Sequence, residues 1–332
     1  MTLLIRKLVA VCALMLATAS AHAQQPTLKT VRVANGTTLD LLTIPDVRTF
    51  EHFLPKEAGI EGKVTYVPGA VRAIQAVLAN EAEVGIATLG SGLAAVVQNQ
   101  DIQVFALASG ARPYLVPVVT NDIKDLKSLE GQNVGVISLV DSTYYLLVMM
   151  MRAQGVDPTK VQWRVVGGGA GRANALVAGG IKAAMFQVGQ ALDLMEKGPY
   201  RILSVSNKGL DGFIFKAFWA KRSFLEKHPD VAEAIARAHL LATREALDKA
   251  RFIPIAAPLL APMSADLVSK SYDVLLNMGP WDPNDALLNE HAGTYTVTEM
   301  VRYEVLKAPV PFDRWADPRF VRAAVEKLGA VR

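Results

Sequence analysis

Cysteine is almost absent from this chain. Among its 332 residues the only one is Cys12, inside an N-terminal apolar stretch, Leu8–Ala19, that we expect to be removed from the mature protein. A mature chain without cysteine has no disulfide framework, no thiolate nucleophile and no cysteine-bound metal. Any chemistry must therefore come from other side chains.

Long hydrophobic runs are also missing. Leu8–Ala19 is shorter than the roughly 20 residues that a membrane-spanning helix needs, and prolines interrupt the apolar segment near residue 255. Arg6 and Lys7 precede the first run, and the small residues of Ala21-His22-Ala23 follow it, which is the pattern of a secretory signal peptide. We predict that residues 1–23 are cleaved and that the mature protein is exported.

Clusters of basic residues and of histidines are missing as well. The formal net charge is +4, and two of these charges lie in the predicted signal peptide, which leaves about +2 on the mature chain. So small a charge, carried by scattered residues, argues against nucleic acid or anionic lipid as a partner. The other histidines, His52, His228, His239 and His291, lack metal-ligand spacing. We predict no metal, no cofactor and no catalytic residue.

What the sequence does contain is a regular alternation of strand-like and helical patterns, which predicts parallel βαβ units. The alternation comes in two sets, and from Phe224 onward the pattern is mostly helical. We therefore predict an α/β fold with a ligand cleft between two lobes, lobe one from residues 24–117 plus 218–332 and lobe two from residues 118–217. The predicted strands are Val31–Ala34, Val64–Val67, Val84–Ala87 and Val104–Ala108 in the first set and Val134–Ile137, Val161–Val166, Ala183–Phe186 and Ile202–Val205 in the second.

Small polar or glycine-rich loops follow the predicted strands. In open parallel sheets, ligands bind outside the carboxyl ends of the strands. Five loops of one character at those ends predict a single binding site in the cleft. The loops are Asn35–Leu41, Thr88–Ser91, Ser138–Thr143, Gly167–Arg172 and Gln187.

The stretch Asn133–Gly155 carries the most informative of these loops. A strand-like run leads into the apolar helix Tyr144–Met151, and the hydroxyl and carboxylate side chains of Ser138, Asp141, Ser142 and Thr143 stand between them. A helix start has unpaired N–H groups and a positive dipole end, which favour an anionic or polar ligand. The alternative, that these residues only cap a buried helix, stays open.

Two further side chains are candidates for ligand contact. Arg172 follows the glycine run Gly167–Gly171 and could pair with a carboxylate or sulfonate, or could lie on a solvated first turn. Tyr144 follows the predicted cap and is placed to reach the cleft, whereas Trp163, within a strand, fits core packing better. The glycine run lacks the lysine-serine/threonine ending of a phosphate-binding loop, so we interpret it as a flexible cleft loop.

Three segments resemble one known family, the periplasmic substrate-binding proteins of the nitrate, sulfonate and taurine type, which also includes binding proteins for pyrimidine precursors of thiamine. Asp125–Val136 resembles the family's "DLK-L-GK-VGV" segment. Ala175–Ala184 resembles its "AL--G-IDAA" segment, with Lys182 where an acidic residue is usual, and Phe224–Asp230 resembles its "F-EKHP" segment.

The resemblance implies a type II periplasmic-binding fold with two crossovers, and a monomeric periplasmic receptor that delivers a small-molecule ligand to an ABC-type permease. By the family's pattern, the ligand is held between the lobes by Thr37, Thr38, Thr88, Ser91, Ser138, Ser142 and Thr143. Asp141 departs from an anion site, because a carboxylate repels a bound anion by about 1 kcal/mol at about 4 Å in water. Either Asp141 turns outward, or it accepts a hydrogen bond from an amine or hydroxyl of the ligand, as in the zwitterion taurine.

Other functions on the same scaffold stay open. One is an enzyme, such as a pyrimidine-precursor synthase, and another is a receptor for a tripartite transporter or a sensor kinase. With no mature cysteine and no nucleophile–base spacing, we predict that the protein is not an enzyme.

Overall fold

A computed structural model describes residues 28–109, 112–139, 141–203, 210, 212–285 and 288–331. The predicted signal peptide, residues 1–23, lies outside the described residues. Within them, no helix combines the length and apolar character needed to cross a bilayer.

In the part of the chain that the structure describes, ten strands form two separate five-stranded sheets. Most of them coincide with the predicted apolar runs to within a few residues. The strands are β1 Thr30–Asn35, β2 Glu61–Tyr66, β3 Val84–Thr88, β4 Gln103–Leu107, β5 Val116–Thr120, β6 Asn133–Val136, β7 Gln162–Val165, β8 Ala183–Phe186, β9 Tyr200–Ile202 and β10 Lys216–Ala220.

The first sheet has the order β2-β1-β3-β10-β4. Strands β1, β2 and β3 are parallel, and β10 lies antiparallel between β3 and β4. Every residue of β4 and β10 is buried, as expected for strands covered on both faces. The helix over β10 approaches closely because of Gly92, where a Cβ atom would lie 2.1 Å from the Trp219 ring.

The second sheet has the order β7-β6-β8-β5-β9, with β5 antiparallel to its neighbours β8 and β9. The chain therefore passes from the first sheet to the second between β4 and β5, and returns between β9 and β10. This confirms the two-lobed α/β architecture with two crossovers that the resemblance implied.

Helices cover both sheets. A short π-helical segment, Thr49–Phe53, joins the first two of them. The α-helices are α1 Ile44–Arg48, α2 Leu54–Ala58, α3 Ala70–Leu78, α4 Leu89–Val97, α5 Ser142–Ala153, α6 Gly169–Val177, α7 Val188–Lys197, α8 Arg222–Lys227, α9 Pro229–Ala246, α10 Lys249–Leu259, α11 Ala265–Met278, α12 Glu290–Arg302, α13 Phe312–Trp315 and α14 Arg319–Leu328.

Two prolines lie inside a helix of lobe one. Helix α10 runs through both Pro254 and Pro258. The two prolines are four residues apart and exposed, so water can solvate the carbonyl groups that they leave unpaired. The opposite face buries Phe252 and Ala256, and this packing holds the helix together.

The C-terminal helices, which we assigned to lobe one, do not all contact that lobe alone. Helices α9 and α14 pack together beside β4, but α11 contacts α7 of lobe two as well as the turn that follows β1 in lobe one. A Cβ atom on Gly189 at the start of α7 would lie 2.9 Å from Met263 and 3.6 Å from Ser271. The segment around α11 therefore closes one side of the junction between the lobes.

Candidate functional site

A cavity of about 300 Å³ lies where loops from the two lobes meet. Lobe one contributes the loop after β1, lobe two contributes the start of α7 after β8, and the α10–α11 segment closes the third side. Most of the lining is aliphatic. The polar side chains of the lining are Asp40, Tyr114, Gln187, Gln190 and Ser271.

One hydrogen bond joins two predicted site residues across the lobes. Gln187 Nε2 donates to Thr38 Oγ1 at 3.1 Å, and the Gln187 side chain also lies beside the Tyr114 hydroxyl. Thr38 follows β1 and Gln187 follows β8, so both stand at carboxyl ends of parallel strands. These two residues meet, as we expected for loops at the carboxyl ends of parallel strands.

The other lobe-one candidates stabilise their own loops. Thr37 donates its N–H and its hydroxyl to Asn35 Oδ1, at 2.9 and 2.7 Å. Thr88 and Ser91 share a hydrogen bond of 3.0 Å between their hydroxyl oxygens. They do not line the cavity described above, and their contact with a ligand stays a prediction.

At the start of α5 the structure shows which side chain forms the cap. Asp141 Oδ1 accepts from the backbone N–H and the hydroxyl of Thr143, each at 2.8 Å. The Thr143 hydroxyl in turn accepts from the Ile137 N–H at 3.0 Å, and Thr143 is buried. Asp141 and Thr143 therefore connect β6 to α5. For these two residues this agrees with the alternative that they cap a buried helix. Ser138 and Ser142 are half-buried at the same junction and stay the candidates for ligand contact there.

Tyr144 packs edge-on against Trp163, with ring centroids 4.8 Å apart and an interplanar angle of 78°. Trp163 also donates its indole N–H to the Pro158 carbonyl at 3.1 Å. Both rings are half-buried, so the pair is partly accessible at the β7 edge of lobe two.

Arg172 is buried, so the alternative of a solvated surface arginine is wrong. Its guanidinium donates to the Met185 carbonyl at 3.1 Å and to the Gly167 carbonyl at 3.0 Å, and lies 5.5 Å from the centre of the Phe186 ring. Burial lowers the pKa of Arg172, while the nearby Asp141 carboxylate raises it. The acceptors of this guanidinium are thus backbone carbonyl groups, and Asp141 acts on it only through its charge.

Sequence reasoning missed Asp40, the charged residue of the cavity lining. Asp40 Oδ1 accepts from the Thr43 N–H at 2.9 Å, while Oδ2 is buried without a hydrogen-bond partner. Burial raises the pKa of Asp40 to about 6, against the opposing effects of Lys216 and of the hydrogen bonds from Thr43. Its signal in the sequence was a lone carboxylate within the apolar run Leu39–Leu42, in a loop already predicted to face the cleft.

A buried polar network beneath the cleft was missed as well. Asp46 Oδ2 accepts from the Lys216 ammonium at 2.8 Å, and Asp46 Oδ1 accepts from the Ser109 N–H at 2.7 Å. The Nδ1 atom of His239 lies 3.1 Å from the Thr49 hydroxyl, and burial lowers the pKa of His239 to about 4. Ser109 opens the first crossover and Lys216 ends the second, so one carboxylate holds both crossing segments.

Within the described residues, no group of three or more His, Cys, Asp or Glu side chains is placed to hold a metal ion. What the site offers is a cavity with a largely aliphatic lining, one carboxylate and several neutral hydrogen-bonding groups.

The fold is shared with solved structures of low sequence identity. The periplasmic aliphatic sulphonate binding protein SsuA from Escherichia coli aligns with a TM-score of 0.70 at 15% identity, over 87% of this chain and 92% of that one. The periplasmic nitrate-binding protein NrtA from Synechocystis PCC 6803 aligns with a TM-score of 0.69 at 13% identity, over 92% and 90%. A mutant of DszB in complex with biphenyl-2-sulfinic acid aligns with a TM-score of 0.60 at 15% identity, over 90% and 99%.

A comparison with curated protein sequences finds no match. The model of the family described as "NMT1/THI5 like" matches residues 56–251, which is more than half of the chain. This agrees with the three resembling segments and with the two crossovers. The chain belongs to the NMT1/THI5-like family.

Proposed function

We propose that this protein is an extracytoplasmic solute receptor, which captures a small organic molecule between its lobes and delivers it to an ABC-type permease. The observation that carries the proposal is the cavity at the lobe junction, which takes its lining from both lobes. The fold shared with SsuA and NrtA, both periplasmic binding proteins, supports the transport role.

Binding and closure are coupled in this arrangement. Each lobe alone supplies part of the lining, so a solute gains its full set of contacts only when the lobes are together. Solute binding therefore shifts the population toward the closed form, which the permease distinguishes from the open one. The Thr38–Gln187 hydrogen bond stabilises that form. We propose that the receptor acts as a monomer.

The solute that suits the site is a small organic anion or zwitterion. Aliphatic walls such as Leu42, Leu260 and Leu275 favour a hydrocarbon portion, which nitrate lacks. For an acidic group of the solute, we propose contact with Ser138 and Ser142, which are half-buried at the start of α5.

An enzyme on this scaffold is the alternative, since DszB is an enzyme. We favour a receptor without catalysis because the groups suited to catalysis are engaged with the protein. The buried Lys216 is ion-paired with Asp46, and the Nδ1 atom of His239 faces Thr49. Neither Lys216 nor His239 is among the residues of the cavity lining.

The test is a thermal-shift screen of the mature protein against small sulfonates, carboxylates, amino acids, pyrimidines and nitrate. A solute at one hundred times its dissociation constant stabilises the folded state by about 2.7 kcal/mol, and it should also reduce the radius of gyration measured by X-ray scattering. A solute that is chemically converted on incubation would instead establish an enzyme. If no solute raises the melting temperature or compacts the protein, the receptor proposal is wrong.

A further inference from the structure

We propose that Asp40 binds a positively charged N–H group of the solute, so that the receptor selects amine-bearing solutes over anions without such a group. The inference rests on the proposed receptor function and adds the chemical class that the cavity recognises. It assigns to Asp40 a role in specificity.

The first argument is the charge of the cavity lining. Asp40 is its charged residue, and the other polar residues, Tyr114, Gln187, Gln190 and Ser271, are neutral. No lysine, arginine or histidine is among the lining residues that the structure describes. An anion without a compensating cation would meet an unfavourable field in this space, because the surroundings are mostly aliphatic and screen charges weakly.

The second argument is the state of the Asp40 carboxylate itself. One oxygen accepts from the Thr43 N–H at 2.9 Å, and the Asp40 N–H donates to the Thr43 hydroxyl at 3.0 Å, so the side chain is fixed in position. The other oxygen is buried and lacks a hydrogen-bond partner. A buried acceptor without a partner is unfavourable, and a solute N–H that reaches it by a local shift of the lining would satisfy it.

The third argument concerns the charged and titratable groups that act on Asp40. Lys216 is the neighbouring cation, but its ammonium donates to Asp46 Oδ2 at 2.8 Å. Asp46 adds negative potential at Asp40, and the phenols of Tyr114 and Tyr66 also interact with the carboxylate. The nearby lysine is therefore committed to another carboxylate, and a cationic solute is the partner that Asp40 lacks.

The inference has a pH signature. Because the pKa of Asp40 is raised to about 6, the empty site carries its negative charge at pH 7 and loses it on acidification to pH 5. The affinity for a cationic solute should fall over that interval. A variant without the carboxylate should not show this fall.

The experiment is titration calorimetry with matched solutes on wild type and on Asp40→Asn. The probes are taurine, 5-aminopentanoate and benzylammonium, each beside a counterpart lacking the amine: ethanesulfonate, pentanoate and benzyl alcohol. Asparagine is a good residue for a helix N-cap, so the turn at Thr43 should persist, and the melting temperature without solute checks folding. The control variant is Asp266→Asn, whose carboxylate is exposed on α11.

We expect at least one amine to bind tenfold or more tightly than its counterpart, and Asp40→Asn to abolish that preference while Asp266→Asn keeps it. If a counterpart binds as tightly as its amine and closes the lobes, the receptor function stands and the role of Asp40 is wrong. An unchanged preference in Asp40→Asn also overturns it. If no probe of either class binds, the inference fails, and the wider solute screen decides the receptor proposal separately.

Discussion

Asp46 stands out among the individual residues, because it is buried and accepts hydrogen bonds from both crossing segments. Replacing it with asparagine leaves the Lys216 ammonium buried without a charged partner. Breaking a buried pair in this way costs about 3–5 kcal/mol. We therefore expect Asp46→Asn to lower the free energy of unfolding by that amount, measured by urea denaturation.

A surface pair provides the control. Asp266 and Lys270 are ion-paired one turn apart on α11, with exposed side chains, and exposed pairs contribute little to stability. Equal losses in Asp46→Asn and Asp266→Asn would contradict the proposed importance of the buried pair. Replacing Lys216 with methionine as well should recover part of the loss.

His239 predicts a dependence of stability on pH. Its pKa is lowered from 6.5 to about 4 by burial, so between these values the unfolded chain binds a proton that the folded protein does not. Stability should therefore fall by about 3 kcal/mol as the pH drops from 6.5 to 4. His239→Gln should remove this component, which chemical denaturation at a series of pH values would measure.

Asp40 changes the stability with pH in the opposite direction to His239. Its pKa is raised from 3.8 to about 6, so its contribution to stability is full below pH 3.8 and is lost as the pH rises through 6. The two contributions oppose each other between pH 4 and 6, and the wild-type profile alone does not separate them. Comparing wild type with Asp40→Asn separates the two contributions, because that variant should gain stability relative to wild type as the pH rises from 4 to 7. A parallel offset at all pH values would contradict the assignment to Asp40.

Among the elements, the junction of β6 and α5 depends on one hydroxyl. Thr143→Val keeps the shape of the side chain but removes its hydrogen bonds to Ile137 and Asp141. The Ile137 N–H loses its partner, which costs about 1–3 kcal/mol. Ser142→Ala, one residue earlier and half-buried, should change stability by about 0.5 kcal/mol or less. Urea denaturation of the two variants measures both losses in stability. A larger loss in Ser142→Ala than in Thr143→Val would show that Ser142 holds the junction.

The elements were largely predictable because the signals that specify them are local. The cap at Asp141 follows from a carboxylate before an apolar helix, and the fully buried strands β4 and β10 appear as apolar runs. Helix α10 could not be predicted, because packing of Phe252 and Ala256 compensates for two prolines. The burial of Arg172 was also hidden, since its acceptor at Met185 belongs to a strand that lies beyond the next turn.

The candidate site was predictable only in part, because local signals do not show contacts between distant segments of the chain. The rule of strand ends located the loops of Thr38 and Gln187, which meet. The cavity, however, is completed by Tyr114 from the first crossover and by Leu260 and Met263 beyond α10. No local pattern connects segments so far apart in the chain.

At the scale of the whole molecule, the contact between lobes predicts a change in affinity. Thr38→Val removes the hydrogen bond to Gln187, worth about 0.5–1.5 kcal/mol in the closed form. We expect solute affinity to fall about twofold to tenfold, measured by calorimetry, with the melting temperature of the free protein nearly unchanged. Thr65→Val, the same change at an exposed position of β2, is the control. Equal effects of the two variants would contradict a role of Thr38 in closure.

The crossing of the chain also has a consequence for synthesis. All strands of the second sheet lie in one continuous stretch from Val116 to Ile202, whereas β10 must enter the first sheet between β3 and β4. A nascent polypeptide that ends near residue 210 can complete the second sheet but leaves β4 separated from β3, with open edges that favour aggregation. Lobe two is therefore able to mature first during biogenesis, while lobe one waits for its last strand to emerge.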